Sequence, residues 1–598
     1  MSVTSPRASL GNIDEARNLL RDKFGYPDFR PPQIRAVQAV LAGRDSLIVL
    51  PTGGGKSLCF QVPAIMREGL TLVVSPLISL MKDQVDALER RGLPAAFINS
   101  TLSSAEVANR MARARDGELK LLYLAPERME AGRTVDKLLA IGIAMLAVDE
   151  AHCISEWGHD FRPSYRRIGV IRQRLLQPQT VALTATATPQ VRDDIVKQLK
   201  LHNAEVVVGG FDRINLTYHV VSTPTQVEKD KASVQWLREA PGPAIVYAPT
   251  RKAVERIAAV LVRNKVRAVG YHAGLDEDLR RRAQDAFMKE SARVIVATSA
   301  FGMGIDKPDV RLVVHHAMPG TLESYYQEAG RAGRDGKPST CVLLHMYPDR
   351  FTHEFFIQNA HPDRDTIERV WKVLRNEGRE TGLAALSLED LTARVPPKVG
   401  DRKVSAALRA LASAGALTLE APSMGRVWIR LMATPARITS SLDGERAHDR
   451  EVLRALWRVA GKRLEEGASI DLDTLPREFG GSYAIMPILE KLQAEQYLTV
   501  ARVGGGFRLD PQSNDPAWLP VDWQALERRR QADLARLDSV QRYAQTRSCR
   551  RAFVLRYFGD PEARPTCDSC DRCLGIAMDP SPRTPAKPAR SRSRVKHT

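Results

Sequence analysis

The sequence predicts two successive α/β domains on parallel sheets, then an α+β region of two related units, and last a small helical segment built around a metal. Three observations carry this. Short apolar runs alternate with amphipathic helical stretches through residues 1–345. The pattern then changes to a repeat over 355–515. Four cysteines, Cys549, Cys567, Cys570 and Cys573, cluster near the end.

In the first domain the apolar runs are "DSLIVLP" (45–51), "LTLVVSP" (70–76), "KLLYLAP" (120–126), "AMLAVDE" (144–150) and "TVALTAT" (180–186). Continuous apolar strands separated by helices fit a parallel sheet covered on both faces. A second series follows: "AIVYAPT" (244–250), "RAVGYHAG" (267–274), "RVIVATS" (293–299), "RLVVHHA" (311–317) and "TCVLLHM" (340–346). The domains are placed at 1–208 and 209–350.

The repeat comes next. "ERVWKVLRN" (368–376) pairs with "REVLRALWR" (450–458), "SLEDL" (387–391) with "DLDTL" (471–475), and "LRALASAGALTL" (408–419) with "LEKLQAEQYLTV" (489–500). Each unit is expected to close with its own β-hairpin, at "SMGRVWIRL" (423–431) and "VGGGFRLDP" (503–511). Three helices and a hairpin make a winged-helix-like unit, whose third helix often enters a DNA major groove. Packing modules or partner-binding modules would have the same pattern. The units are placed at 351–435 and 436–515, a zinc-binding segment at 516–575, and a basic tail at 576–598. The Pro/Ser/Arg-rich tail is expected to be disordered.

The net charge is +18, and the six Lys/Arg of 583–598 leave +12 on the rest. Such a balance points to a polyanionic partner, nucleic acid ahead of an acidic membrane. The N-terminal stretch has no apolar leader, and runs such as "IGIAMLAV" (141–148) are too short to span a bilayer. A cytoplasmic protein is expected, nucleoid-associated if bacterial, with no membrane partner. In that compartment the cysteine cluster reads as a metal site rather than a disulfide set.

"LPTGGGKSLCF" (50–60) joins a strand to a helix. A phosphate loop would spell Gly, four residues, then Gly-Lys-Ser/Thr, and here Leu50 holds the first position. A glycine-rich turn is the alternative. In the phosphate reading, N–H groups of Gly53, Gly54, Gly55 and Lys56 face the phosphates, Lys56 reaches the terminal ones, and Ser57 ligates Mg²⁺. "VDEAH" (148–152) follows a second buried strand: Asp149 would hold Mg²⁺ and Glu150 would activate water. In "QEAGRAGRDG" (327–336), Arg331 and Arg334 are expected three apart on one helix face, either as arginine fingers or as a basic surface.

Together these residues resemble the RecQ family of superfamily 2 DNA helicases, through the whole of 20–345. The resemblance implies two RecA-like domains. "FGYPDFRPPQ" (24–33) is similar to the family's adenine motif and implies Tyr26, Arg30 and Gln33 around the base. "TGGGKS" adds Thr52 to the nucleotide contacts, and the family does not use the leading Gly, which accounts for Leu50. "VVSPLISLMKDQ" (73–84), "LAPER" (124–128) and "LTATAT" (183–188) match further motifs, with Ser75 and Pro76 implied on DNA. "IVYAPTR" (245–251), "YHAGL" (271–275) and "ATSAFGMGIDKPDVR" (297–311) match second-domain motifs, implying Thr250 and Arg251 on DNA and Gly304 and Asp306 on nucleotide. "EWGHDFRPSY" (156–165) resembles the aromatic-rich loop, in which Trp157, Phe161 and Arg162 would couple single-strand binding to hydrolysis. Packing is the other role open to those aromatics. "CRRAFVLRYFGD…CDSCDRC" (549–573) resembles the zinc-binding segment, with four thiolates as ligands.

The implied function is ATP-dependent unwinding of DNA with 3′→5′ polarity, in recombination and repair. It would use ATP, Mg²⁺ and Zn²⁺ on single strands and duplex junctions, with a single-strand-binding protein or repair factors as further partners. A translocase or RNA helicase on the same core, or a DNA-binding regulator switched by ATP, are the alternatives. The layout departs from the family's usual order, since the repeat precedes the zinc segment instead of following it.

Overall fold

The computed structural model describes residues 11–576 apart from 52, 77, 100, 131–133, 159, 300, 302–306, 380–381, 385, 397–398, 421–424, 443, 503–505 and 516–517. Thr52, Gly304, Asp306 and nearly all of the basic tail lie outside them. The chain forms two compact bodies. One joins residues up to Glu354 with those from Ala532 onward, and the other is Phe355–Gln531.

The first body holds both parallel sheets. The first sheet contains β1 (Ser46–Val49), β2 (Leu70–Val74), β3 (Ala95–Ile98), β4 (Leu121–Leu124), β5 (Ile143–Val148), β6 (Gln179–Thr184) and β7 (Glu205–Val208), in the order β3-β4-β2-β5-β6-β1-β7. Every pairing is parallel. β1 and β4 are buried along their whole length, which is why their sequences read as unbroken Leu/Ile/Val runs. β3 and β7 were not among the strands expected from sequence. β3 is at one edge and β7 at the other, where a strand needs less apolar residue to be satisfied.

The second sheet contains β8 (Leu216–Ser222), β9 (Ala244–Tyr247), β10 (Ala268–Tyr271), β11 (Val294–Ala297), β12 (Leu312–His315) and β13 (Ser339–His345), in the order β10-β11-β9-β12-β13-β8, again all parallel. β8, also unforeseen, is an edge strand whose first five residues alternate buried and partly buried, since one of its faces is less covered. In the first sheet the adjacency β5-β6-β1 matters most. It brings the loops after these strands side by side at the carboxyl edge, where open α/β sheets bind ligands.

In the second body, α1 (Arg364–Glu377), β14 (Leu383–Ala384), α2 (Leu388–Arg394), α3 (Asp401–Ser413) and β15 (Leu417–Glu420) run in order. β16 (Arg426–Leu431), α4 (Ala447–Ala460), β17 (Ala468–Asp471), α5 (Gly481–Ala494), β18 (Leu498–Arg502) and β19 (Gly506–Leu509) follow. The helices of the repeat fall where their sequences place them, except that "DLDTL" forms a single 3₁₀ turn.

Among the described residues the two expected hairpins do not form. β15 pairs antiparallel with β19, and β16 pairs antiparallel with β18 and β17. The sheets are β14-β19-β15 and β17-β16-β18. Strand pairing therefore crosses the boundary expected at 435/436. The second module lies between the two strands, β15 and β19, that complete the first, and its own third strand, β16, precedes its helices. Side-chain burial gives the reason. Leu417, Phe507 and Leu509 pack with Trp371 and Leu374 in one core, whereas Val427, Ile429 and Leu498 pack with Leu453 and Leu456 in another. Each strand goes where its apolar face is covered, and a local hairpin would have mixed the two sets.

The chain then re-enters the first body along α6 (Trp523–Gln545), followed by α7 (Arg550–Tyr557) and the cysteine loop. Asp571 N donates to Tyr218 O at 3.1 Å, and Val220 N donates to Asp571 Oδ2 at 3.0 Å. The loop thereby covers the free edge of β8, which would otherwise present unpaired backbone groups. Phe558 stacks on Phe211 at 5.1 Å and 8°, and the Tyr325 and Tyr543 hydroxyls share a 2.8 Å hydrogen bond. The unusual domain order is one of connectivity: the repeat interrupts a body that closes again beyond it.

Candidate active site

The loop after β1 leads through Gly53 (φ 78°) and Gly55 (φ 72°) to the helix Leu58–Met66. The positive φ of Gly55 favours glycine, and a Cβ there would lie 2.2 Å from Gln33 Nε2, so the Gln33 amide would have to shift. Gln33 Nε2 donates to Gly54 O (2.9 Å) and Gly55 O (3.2 Å), Gln33 Oε1 accepts from Arg30 N (2.7 Å), and Arg30 Nη1 donates to Gly53 O (3.0 Å). Two of the three residues implied around adenine thus hold the loop's carbonyls, and Tyr26 is left half-exposed. Gly54 N donates to Pro51 O at 2.8 Å, so this N–H is turned inward and away from the expected phosphate set. Lys56 and Ser57 are partly exposed at the start of the helix.

Two strands away, Asp149 is buried and Glu150 carries a left-handed backbone, φ 47°. Glu150 N donates to Asp149 Oδ1 at 3.0 Å, and Tyr165 OH donates to Asp149 O at 3.1 Å. Burial first, and then the Glu150 charge, push the Asp149 carboxyl up to about 7, with Lys56 opposing. A buried carboxyl beside a partly buried one, with Lys56 and His152 as the nearby offsetting groups, is a donor set that fits a divalent cation.

His152 Nδ1 lies 3.3 Å from Glu150 Oε2 and 2.9 Å from Thr184 Oγ1. Thr184 Oγ1 in turn donates to Thr186 O at 3.2 Å. Gln327 Nε2, from the second sheet's domain, donates to Thr186 Oγ1 at 3.1 Å. A polar chain therefore runs from Glu150 to the other α/β domain through "LTATAT".

Gln327 belongs to the helix Leu322–Ala329, which ends before Arg331. The expected helix face is absent. Arg331 and Arg334 sit in a turn whose carbonyls are gathered by two residues sequence reasoning missed. Arg213 donates to Gly330 O (3.2 Å), Ala332 O (3.0 Å) and Gly333 O (2.9 Å), and Asn215 Nδ2 to Gly333 O (2.8 Å). Gly333 has φ 54° and no room for a Cβ, which would meet Asn215 Nδ2 at 2.4 Å. The helix itself stops earlier, at Ala329 with Gly330 as its C-cap, and Gly333 shapes the turn that follows it.

The aromatic-rich loop follows "VDEAH". Trp157, Phe161 and Arg162 are all partly buried. Arg162 Nη1 donates to Pro76 O at 3.2 Å, tying this loop to the one after β2. Ser75 is buried. Thr250 caps the helix Arg251–Arg263, with Oγ1 accepting from Ala253 N at 3.2 Å, and Arg251 packs against Gly274 of "YHAGL".

The four cysteine sulfurs lie within 4.8 Å of one another. The Cys567–Cys573 and Cys549–Cys570 pairs are each at 4.0 Å, close to the roughly 3.8 Å that four thiolates at ~2.3 Å from a tetrahedral zinc would have. Backbone N–H groups of Ala552 and Arg550 donate to Cys549 and Cys570 at 3.4 Å each. The cluster fits one zinc ion.

Comparison with known proteins bears on this arrangement. The DEAD/DEAH box helicase family model matches residues 30–195, the helicase conserved C-terminal domain 228–336, and the RecQ zinc-binding family 512–574. The ATP-dependent DNA helicase RecQ of Bacillus subtilis is 49% identical over 355 residues, 59% of this chain and 60% of that protein. The RecQ of Pasteurella multocida is 43% identical over 360 residues, 59% of this chain and 56% of that protein. The protein named "Probable ATP-dependent DNA helicase RecS" of B. subtilis is 41% identical over 353 residues, 59% of this chain and 71% of that protein. The chain belongs to the RecQ family. It spans little more than half the length of the two RecQ proteins above. No helix of the described residues is long and apolar enough to cross a membrane. Within a RecQ frame, the three adjacent loops of the first sheet, the Arg331 turn and the cysteine cluster all belong to one compact body, and the repeat makes up the other.

Proposed function

We propose that this chain is an ATP-dependent DNA helicase that moves 3′→5′ along one strand and acts in recombination and repair. The observation that carries the reading is the polar chain from Glu150 through His152, Thr184 and Thr186 to Gln327. It joins the hydrolytic carboxylate of one domain to the helix that precedes the arginines of the other. Lys56 neutralises the terminal phosphates of ATP, and Glu150 takes a proton from the attacking water. Magnesium, held by Asp149 and Ser57, would supply charge neutralisation at the β- and γ-phosphates. Arg331 and Arg334 meet the charge that develops on the transferred phosphoryl group. Trp157 and Phe161 offer ring faces to single-strand bases, which stack without sequence preference, and Arg162 carries that contact to the Pro76 loop. Thr250 and Arg251 extend the track over the second domain. The modules of 355–531, read as winged-helix-like, add duplex contacts, with the basic α3 (Arg402, Lys403, Arg409) as the groove-entering helix of the first module.

ATPase activity with single-stranded DNA, with RNA and with no nucleic acid tests this. Strong stimulation by DNA alone is expected, and its loss in Lys56→Ala. Stimulation by RNA but not by DNA would make the chain an RNA helicase. Sequence-specific footprinting with no strand separation would favour a DNA-binding regulator.

A further inference from the structure

We infer that Arg536, on the helix leading into the zinc segment, positions the aromatic-rich loop and so sets how strongly DNA stimulates ATP hydrolysis. The inference rests on the helicase reading above. Arg536 is 8% exposed. Its Nη1 donates to Gly158 O at 2.8 Å and to Trp157 O at 3.4 Å, and Asp533, one turn earlier, pairs with it at 2.9 Å. The acceptors are main-chain carbonyls, so the contact fixes the path of the loop while the Trp157 ring stays partly exposed.

The loop has little freedom to move without this contact being felt. Gly158 N closes a turn onto Ser155 O at 2.9 Å, and a Cβ on Gly158 would lie 2.3 Å from His152 O. His152 is the residue beside Glu150. Arg536, the Trp157–Gly158 turn, His152 and Glu150 are therefore successive neighbours.

The helix bearing Arg536 is anchored on the second α/β domain. Arg350 Nη1 pairs with Asp538 at 2.6 Å, Tyr543 OH bonds Tyr325 OH at 2.8 Å, and Gln541 Nε2 lies 3.3 Å from His345 Nε2. A helix fixed to one domain thus holds a loop of the other. A second bond of this kind exists, from Arg192 Nη2 to Phe558 O at 3.1 Å. Any change in the cleft between the domains must lengthen the Arg536 bonds or carry the loop with them.

The test uses the full chain with its zinc and an oligo-dT single strand as probe. In Arg536→Gln, basal ATPase and the KM for ATP should stay within twofold of wild type, while DNA-stimulated kcat falls at least fivefold. Arg536→Lys, which keeps the charge and a donor, should recover part of it. In a Trp157→Ala background, Arg536→Gln should add nothing, because both act through one loop. Wild-type stimulation in Arg536→Gln, or losses that multiply in the double variant, would overturn the inference. A wild-type protein that DNA does not stimulate would instead overturn the helicase reading. Zinc content and melting temperature report folding. If the Gln variant unfolds, Arg536→Met, which keeps the stem and removes every donor, decides by the same readouts, and wild-type stimulation there overturns the proposal.

Discussion

Glu150 holds its backbone at φ 47°, a conformation L residues seldom adopt outside sites that over-determine it. Its N–H bond to Asp149 and its approach to His152 supply that constraint. Glu150→Gln keeps the shape and removes the base, so ATP should still bind, measured by fluorescent-nucleotide titration, while turnover drops by about 10²–10⁴. A collapse of nucleotide affinity instead would assign Glu150 to binding. Arg334→Ala should lower kcat with little change in ATP affinity, by about 10³ or less in steady-state assays, since Arg331 shares the turn. Full turnover in Arg334→Ala would move the finger role to Arg331. At this scale the placement of the motif residues was legible because their spacing is local: Lys56 and Asp149 each follow a strand. Arg213, Asn215 and Arg536 were not. Each binds main-chain carbonyls more than a hundred residues away, and no local pattern marks a side chain whose partner is a distant backbone.

Among the elements, the central strands were legible, whereas of the four parallel-sheet edges only β10 was. β3, β7 and β8 are sheet edges whose apolar runs are weak: β3 has two alanines, β7 opens on Glu205, and β8 carries Thr217 and His219. The repeat placed its helices, apart from the 3₁₀ turn at "DLDTL", and its strands, but not the strand pairing, because a hairpin is inferred from proximity in sequence, whereas pairing follows the covered face. The antiparallel ribbon leads to a test. Glu420 and Gly506 are register partners, so replacing 421–505 by Asn-Gly would close β15 and β19 with a two-residue turn. The shortened protein should stay soluble, and far-UV circular dichroism should show the first module still folded. Loss of cooperative melting would mean the modules cannot be separated. The zinc segment offers a second test. Arg550 is fully buried, and Asp571 pairs with it at 2.9 Å while also accepting from Val220 N. Asp571→Ala leaves a buried guanidinium without its counter-charge, which should cost about 3–5 kcal/mol in urea unfolding. A loss below ~1 kcal/mol would mean the clamp on β8 contributes little.

For the whole molecule, connectivity and architecture diverge. The chain order puts the repeat between the helicase core and the zinc segment, yet the core and zinc segment form one body. That could not be read from sequence, because nothing in "CDSCDRC" announces that Asp571 completes an edge strand at Tyr218 and Val220. The same architecture makes the zinc segment more than a remote scaffold: it covers β8, stacks on Phe211 and reaches Trp157 through Arg536. The central claim is that this body converts ATP hydrolysis into movement along one DNA strand. The most direct measurement is unwinding of matched duplexes carrying a 3′ tail, a 5′ tail or a fork, with ATP and Mg²⁺, and with Lys56→Ala as control. The account predicts displacement from the 3′-tailed and forked duplexes by wild type only. ATP hydrolysis stimulated by all three substrates with no strand displaced from any of them would contradict it.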